Sequence, residues 1–247
     1  MPLFYLRRLT GRKRSQAGNR HLAFYLAFIA GATDAGGYFA VRHYTSHMSG
    51  VISSLAWAFA QDSHWLVLIG AVSVFSFFLG SFVTTLFVRW ARMRELHCAF
   101  AMPLILEAAL LFFFGYSGKD FAGDGAVIVT VLVLCFAMGL QNALITKLSD
   151  AVIRTTHLTG MVTDIGIAMG RIVSMGWKST DPAVESELDS LRLLSSLIAL
   201  FFAGGVTGAI GFRHVGFLFA MPLALILLLL AGIPVLDDVR GHESATA

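Results

Sequence analysis

The stretch Thr45-Ser46-His47-Met48-Ser49-Gly50 returns in the second half of the chain as Thr155-Thr156-His157-Leu158-Thr159-Gly160. Each copy follows an apolar segment interrupted by polar residues, Thr33-Asp34-Ala35 before the first and Gln141-Asn142-Ala143 before the second. The correspondence continues downstream. Phe77-Phe78-Leu79-Gly80 answers to Phe201-Phe202-Ala203-Gly204, and Phe100-Ala101-Met102-Pro103-Leu104 to Phe219-Ala220-Met221-Pro222-Leu223. Four matched landmarks in one order predict a duplicated unit of roughly 100 residues, with a site where the two halves meet.

The surroundings of these motifs are apolar. Of 247 residues, 57% are hydrophobic and 13% charged, and the mean hydropathy is +0.75. That leaves too little polar surface to coat a soluble globule, so the sequence predicts an all-α integral membrane protein. Apolar runs lie at about Leu22 to Val41, Trp65 to Val88, Ala99 to Phe114, Ala126 to Ile145, Leu193 to Gly211 and Val215 to Val235. Most come near the ~20 residues needed to cross a bilayer core. Cys98 and Cys135 both sit in apolar segments, which offers neither a disulfide framework nor metal-ligand spacing. Arg7, Arg8, Arg12, Lys13, Arg14 and Arg20 precede the first run. They resemble a signal-peptide leader, but the run is long and holds Asp34, so an uncleaved first span is expected. The pI of about 9.1 comes largely from this arm, which suits anionic lipid headgroups.

Charge decides the status of two shorter segments, Met48 to Ala60 and Leu158 to Met175. If neither crosses, six spans place only Arg42, Lys119 and Arg213 outside, and the other fifteen of eighteen basic residues lie in the cytoplasm. If both cross, Arg89, Arg92, Arg94, Lys147 and Arg154 move outside, leaving eleven inside against seven. The positive-inside rule favours six transmembrane helices plus two short re-entrant or half-membrane helices; eight helices is the alternative. Met48 to Ala60 would extend only about 20 Å as a helix. Three spans per half turns the second half upside down, which predicts two inverted repeats, the recurring plan of secondary transporters. The expected organisation is one membrane domain: a basic cytoplasmic arm over 1–20, repeats over 21–116 and 124–235, and a polar tail over 236–247.

Irregular backbone at membrane depth survives only where protein or water covers it. Gly50 and Gly160 therefore predict helix starts in the interior, with Ser49 and Thr159 as caps whose helix N-termini could hold an anion or carboxylate. The alternative is that these residues only cap and pack two short helices. His47 and His157 could bind substrate, exchange protons or simply hold the loop through a carbonyl; two histidines without a third ligand predict no metal. Asp34 is costly in the membrane unless protonated, paired or hydrated. Its counterpart Asn142 is neutral, and Thr33 corresponds to Gln141. This asymmetry suggests that Asp34 carries charge or a proton while Gln141 and Asn142 supply hydrogen bonds; a purely structural hydrogen-bonding Asp34 is the alternative. Asp164, opposite Ser54 in the other copy, lies near a helix N-terminus that could stabilise it. Glu107 sits mid-span where the equivalent residue is Ile226, a position that suits a proton relay. Gly80, Gly204, Gly205 and Gly208 predict close helix packing. Pro103 and Pro222 shape the starts of their spans. Asp181, Glu185, Glu187 and Asp189 read as a solvated acidic face.

The elements Gly31-Ala32-Thr33-Asp34-Ala35, Ser49-Gly50, Phe78-Leu79-Gly80, Gly139-Leu140-Gln141-Asn142-Ala143 and Thr156-His157-Leu158-Thr159-Gly160 resemble the YoaK-like family of bacterial membrane proteins of unknown function, from about His21 to Pro234. That family usually reads Thr-Gly-Asn where this chain has Ser49-Gly50-Val51. The resemblance implies a multi-pass protein of the bacterial inner membrane and supplies no activity. No nucleophile elbow, phosphate-cradling loop, Walker motif or haem signature is present, so no catalytic residue, cofactor or metal is assigned. The site physics favours a small secondary transporter or permease, proton- or ion-coupled, for a small polar or anionic solute. A channel lined by the short helices and a membrane-embedded lipid enzyme using Asp34 or His157 are the alternatives. The expected partners are the lipid bilayer and a small-molecule or ion substrate, with a homodimer left open and no nucleic acid. Both termini are expected in the cytoplasm.

Overall fold

A computed structural model describes residues 16–96, 98–118, 123–149, 155–175 and 182–239, and these form helices joined by short links, with no strand among them. Most of the basic arm and of the polar tail, together with Lys119, Arg154, Trp177, Lys178 and Asp181, lies outside the described residues. The helices are α1 (Gln16–Val41), α2 (Met48–Ala60), α3 (His64–Met93), α4 (Ala101–Ser117), α5 (Gly123–Leu148), α6 (Leu158–Met175), α7 (Pro182–Val215) and α8 (Ala220–Val239), with a 3₁₀ turn Gly216–Phe219 between the last two. Among the described residues five stretches are long and apolar enough to cross a membrane: Ala17–Val41, His64–Met93, Gly123–Leu148, Leu158–Met175, and the run Pro182–Gly232 that contains α7 and most of α8. Met48–Ala60 and Ala101–Ser117 are shorter apolar helices.

The breaks between helices have local causes. Arg42 takes a left-handed φ of 55° and its N–H closes on Tyr38 O at 3.0 Å, which ends α1 as a left-handed residue commonly ends a helix. Asp62 at φ 53° turns α2 into α3, and Glu95 at φ 56° ends α3. Gly216 at φ 67° breaks α7 from α8, a conformation glycine adopts without side-chain strain. Pro103 and Pro222 each occupy the first turn of their helix, where a missing N–H costs nothing.

Among the described residues two backbone-to-backbone crossings share one pattern, a Phe-x-x-Gly on each helix. Phe28-x-x-Gly31 on α1 crosses Phe201-x-x-Gly204 on α7: a Cβ at Gly31 would overlap the Phe201 carbonyl, and one at Gly204 the Phe28 carbonyl. Phe136-x-x-Gly139 on α5 crosses Phe77-x-x-Gly80 on α3 in the same way, Gly80 against the Phe136 carbonyl and Gly139 against that of Phe77. Glycine removes the only atom that would keep these backbones apart. Gly208 also closes on Ala32, whereas a Cβ at Gly205 would meet only Gly31 O, at an ordinary 3.7 Å.

Contact order gives the helix directions. Along α1, Phe28, Ala32 and Gly36 meet Gly204, Gly208 and Phe212 in turn, so α1 and α7 run parallel. Ile69 packs with Val131 and Cys135, Gly80 meets Phe136 and Leu140, and Thr84 Oγ1 donates to Leu140 O at 3.0 Å; α3 and α5 are parallel too. The end of α4 at Gly115 meets Phe217, Ala220 and Met221 at the start of α8, which makes that pair antiparallel. The main core draws on α1, α4, α5, α7 and α8. Phe75, Phe78 and Phe82 on α3 and Phe202, Val206 and Ile210 on α7 point outward, an apolar surface suited to lipid. By contrast α2 and α6 lie on the outside, burying only Val51 and Ala58, and Met161, Ala168 and Ile172.

Candidate functional site

The link after α1 folds back along its own helix, and glycine allows it. A Cβ at Gly37 would meet Thr45 Cγ2 at 2.7 Å and His43 O at 3.3 Å. The returning segment then delivers its polar groups to Asp34, which is 3% exposed. Asp34 Oδ1 accepts from Thr45 N–H at 2.8 Å, Thr45 Oγ1 at 3.1 Å and Ser46 N–H at 3.1 Å. His47 Nε2 lies 3.3 Å from Oδ2, near enough to pair as a cation but outside hydrogen-bond geometry, so this buried atom has no hydrogen-bond partner. The His47 ring stacks between Tyr44 at 5.1 Å and Phe201 at 6.2 Å. Phe201 belongs to the glycine crossing, so α2 begins at the depth of that crossing. A charged carboxylate accepting several N–H and O–H bonds makes a stronger tether than a neutral group would.

The second copy uses an amide for the same task. Asn142 Oδ1 accepts from Thr156 Oγ1 at 2.5 Å, and its Nδ2 donates to Met138 O at 2.8 Å. One residue earlier, Gln141 Nε2 donates to Glu107 Oε1 on α4 at 2.9 Å; both side chains are fully buried. Thr33, the counterpart of Gln141, is buried with its hydroxyl unpartnered.

Of the residues expected at a site, Asp34 meets His47, Gln141 meets Glu107, and Asn142 meets the Thr156 of its repeated motif. The others are not drawn together. Ser49, Gly50, His157, Thr159 and Asp164 are exposed and Gly160 is half-buried. The expected capping by Ser49 is not seen: α2 begins at Met48, its preceding residue is His47, and no side chain caps it. The physical reason is the Asp34 tether, which fixes Thr45 and Ser46 and starts the helix one residue before Ser49. In the second copy α6 likewise begins at Leu158, one residue before Thr159. A Cβ at Gly50 or Gly160 would meet nothing within 4 Å, so these two positions are not close-packed helix starts. Among the described residues no group of three His, Cys, Asp or Glu could hold a metal, and Cys98 and Cys135 are both buried.

A cleft of about 460 Å³ opens between α2 and α3, lined by His43, Ser53, Ser54, Leu55 and Trp57 among others. It lies within the first half, not at the expected meeting of the halves. His43 Nε2 is buried there without a partner. Burial holds the His43 imidazole below its ordinary value, against the upward pull of the Asp34 charge. His43 and Tyr44 have no signal in the repeat, because Ile153 and Arg154 stand at the matching positions of the second copy; Phe201 does recur, as Phe77, but nothing along the chain aims it at His47. Thr45 and Ser46 did have a signal: both copies place hydroxyls there.

With this geometry in view, comparison with known proteins places the chain. The family model described as Protein of unknown function (DUF1275) matches residues 22–233. The chain belongs to that family. It is similar to UPF0700 transmembrane protein YoaK of Bacillus subtilis (strain 168), 28% identical over 141 residues, which cover 57% of this chain and 62% of the relative. The aligned part of the chain thus spans less than two thirds of that relative's length. No solved structure matches. The transmembrane relative and the apolar helices make this a multi-pass membrane protein, in contact with the lipid bilayer.

Proposed function

We propose that the protein is a small secondary transporter or permease of the inner membrane, built from two inverted repeats and moving a small polar or anionic solute by proton coupling. The helix directions support the inverted arrangement. Let α1 run outward from the cytoplasm. Its parallel partner α7 then also runs outward and α8 returns; α4, antiparallel to α8, runs outward, α5 returns, and α3 runs inward with it. So α3 starts on the side where α1 ended, and α7 starts on the side where α5 ended. On this reading neither α2 nor α6 crosses; each enters to about mid-depth and leaves by the same side, giving six spans and two half-helices with both termini inside. The count of basic residues supports the same orientation.

The observation that carries the reading is the Asp34 tether. A buried carboxylate fastens the start of a half-membrane helix and stands 3.3 Å from a histidine that is one third exposed. A cationic His47 adds an ion pair to the tether between two aromatic faces and locks α2; a neutral one leaves only the three hydrogen bonds to the Asp34 carboxylate. The cleft beside α2 has a volume suited to a small solute, and His43, Ser53, Ser54 and Trp57 give it polar groups along an apolar wall. Movement of α2 would open or close it. Discontinuous helices that meet a substrate near mid-depth are a known transporter device.

The test is uptake of a panel of small polar and anionic metabolites into proteoliposomes under an imposed pH gradient. Flux that collapses with the gradient and is lost in Asp34→Asn is expected. Uptake equal to empty liposomes across the panel, or an Asp34→Asn variant indistinguishable from the native protein, would overturn the proposal.

A further inference from the structure

Glu107 and Gln141 present an arithmetic of hydrogen bonds that does not close with an ionised carboxylate. Both residues are fully buried. One contact joins them, Gln141 Nε2 to Glu107 Oε1 at 2.9 Å. The other oxygen of each group, Glu107 Oε2 and Gln141 Oε1, is buried without a partner. Two acceptors on one acid–amide pair are therefore unsatisfied together, and one additional donor can satisfy both. The neighbours do not supply it. Helix α4 packs against α3, α5 and α8; their titratable and charged groups with described side chains include Arg89, Arg92, Cys135 and Lys147. Among the described residues none of these forms an ion pair or hydrogen bond with Glu107. Turning the amide over does not help: it would bring two oxygens to the same 2.9 Å separation, which again requires a hydrogen between them.

We propose that Glu107 and Gln141 form a proton-binding site, in which Glu107 Oε2 carries a proton and donates it to Gln141 Oε1 while Gln141 Nε2 donates to Glu107 Oε1. The carboxylic acid and the primary amide then make a closed ring of two hydrogen bonds, and every buried polar atom of the pair is satisfied. The proton comes from water when the α4–α5 contact opens and returns to water by the same route. The site is single, because its counterparts across the repeat are Ile226 and Thr33. Its use as the coupling proton rests on the transport proposal; its existence does not.

Infrared spectroscopy of the purified full chain in lipid nanodiscs tests this. At neutral pH the native protein should show the carbonyl stretch of a protonated carboxylic acid, shifted in D₂O and absent from Glu107→Gln. That variant should melt close to the native protein, since two amides can form the same double hydrogen bond, whereas Glu107→Ala should melt lower. If Glu107→Gln fails to fold, Gln141→Leu serves in its place and should move the frequency of the band. Absence of the band, a band that persists unchanged in Glu107→Gln or Gln141→Leu, or a band abolished by sodium ions, which would mark a cation site, overturns the assignment. A band that behaves as expected in a protein that moves no solute refutes the transport reading and leaves the proton site standing.

Discussion

Replacing Asp34 by alanine removes the acceptor for the Thr45 and Ser46 amides and the Thr45 hydroxyl. The hydroxyl can rotate toward another acceptor; the amides cannot. A buried N–H left unpaired costs about 1–3 kcal/mol, so two of them cost about 4 kcal/mol. Because α2 buries little beyond Val51 and Ala58, this loss falls on local release of α2 rather than on unfolding of the whole molecule. Asparagine keeps the Oδ1 acceptor and puts an amide donor toward the unpartnered His47 Nε2, so Asp34→Asn should cost about 1 kcal/mol. The readout is maleimide labelling of a cysteine introduced at Val51, which is 3% exposed. With tenfold in population for every 1.4 kcal/mol, labelling should accelerate about a thousandfold in Asp34→Ala and about fivefold in Asp34→Asn. An alanine variant that labels within tenfold of the parent, or an asparagine variant as fast as alanine, would show that Asp34 does not hold the start of α2.

The two glycine crossings predict matched losses: Gly31→Ala and Gly139→Ala should each lower stability by about 1–3 kcal/mol, as overpacking does, when unfolding is titrated with denaturing detergent. Gly160→Ala and Gly166→Ala meet open space and should instead gain about 0.5–1 kcal/mol; a loss there equal to that at Gly31 would contradict the packing. His43 makes a pH prediction. Its folded value is lowered by burial, so the unfolded chain takes up a proton first, near pH 6.5, and stability should fall as pH drops through that value. The melting temperature of His43→Gln should fall less over the same range; identical slopes would dismiss the effect.

The repeated motif, the membrane class and the positions of the helices were legible in the sequence, because apolar length and the recurrence of Thr-(Ser/Thr)-His-x-(Ser/Thr)-Gly are linear properties. The glycines at 80 and 204 were legible as packing positions for the same reason. The Phe-x-x-Gly at 28–31 and 136–139 went unread, since nothing along the chain says that the Phe28 and Phe136 carbonyls face Gly204 and Gly80, or that Gly31 and Gly139 face the carbonyls of Phe201 and Phe77. Ser49 and Gly50 misled: cap chemistry is local, but the start of α2 is set by a carboxylate in the preceding helix, and the link returns to it only because Gly37 leaves room for Thr45.

By itself, then, the sequence determined that this chain is an all-helical membrane protein that carries one motif twice, since a bilayer selects for apolar length and for helices whose backbone bonds are internal. Only the tertiary structure decided which polar groups belong together: Asp34 with Thr45, Ser46 and His47, Asn142 with Thr156, and Glu107 with Gln141. The first two pairings depend on a link folding back onto the helix before it, and the third on two helices packing side by side; a buried polar group takes whichever partner the packing brings within reach.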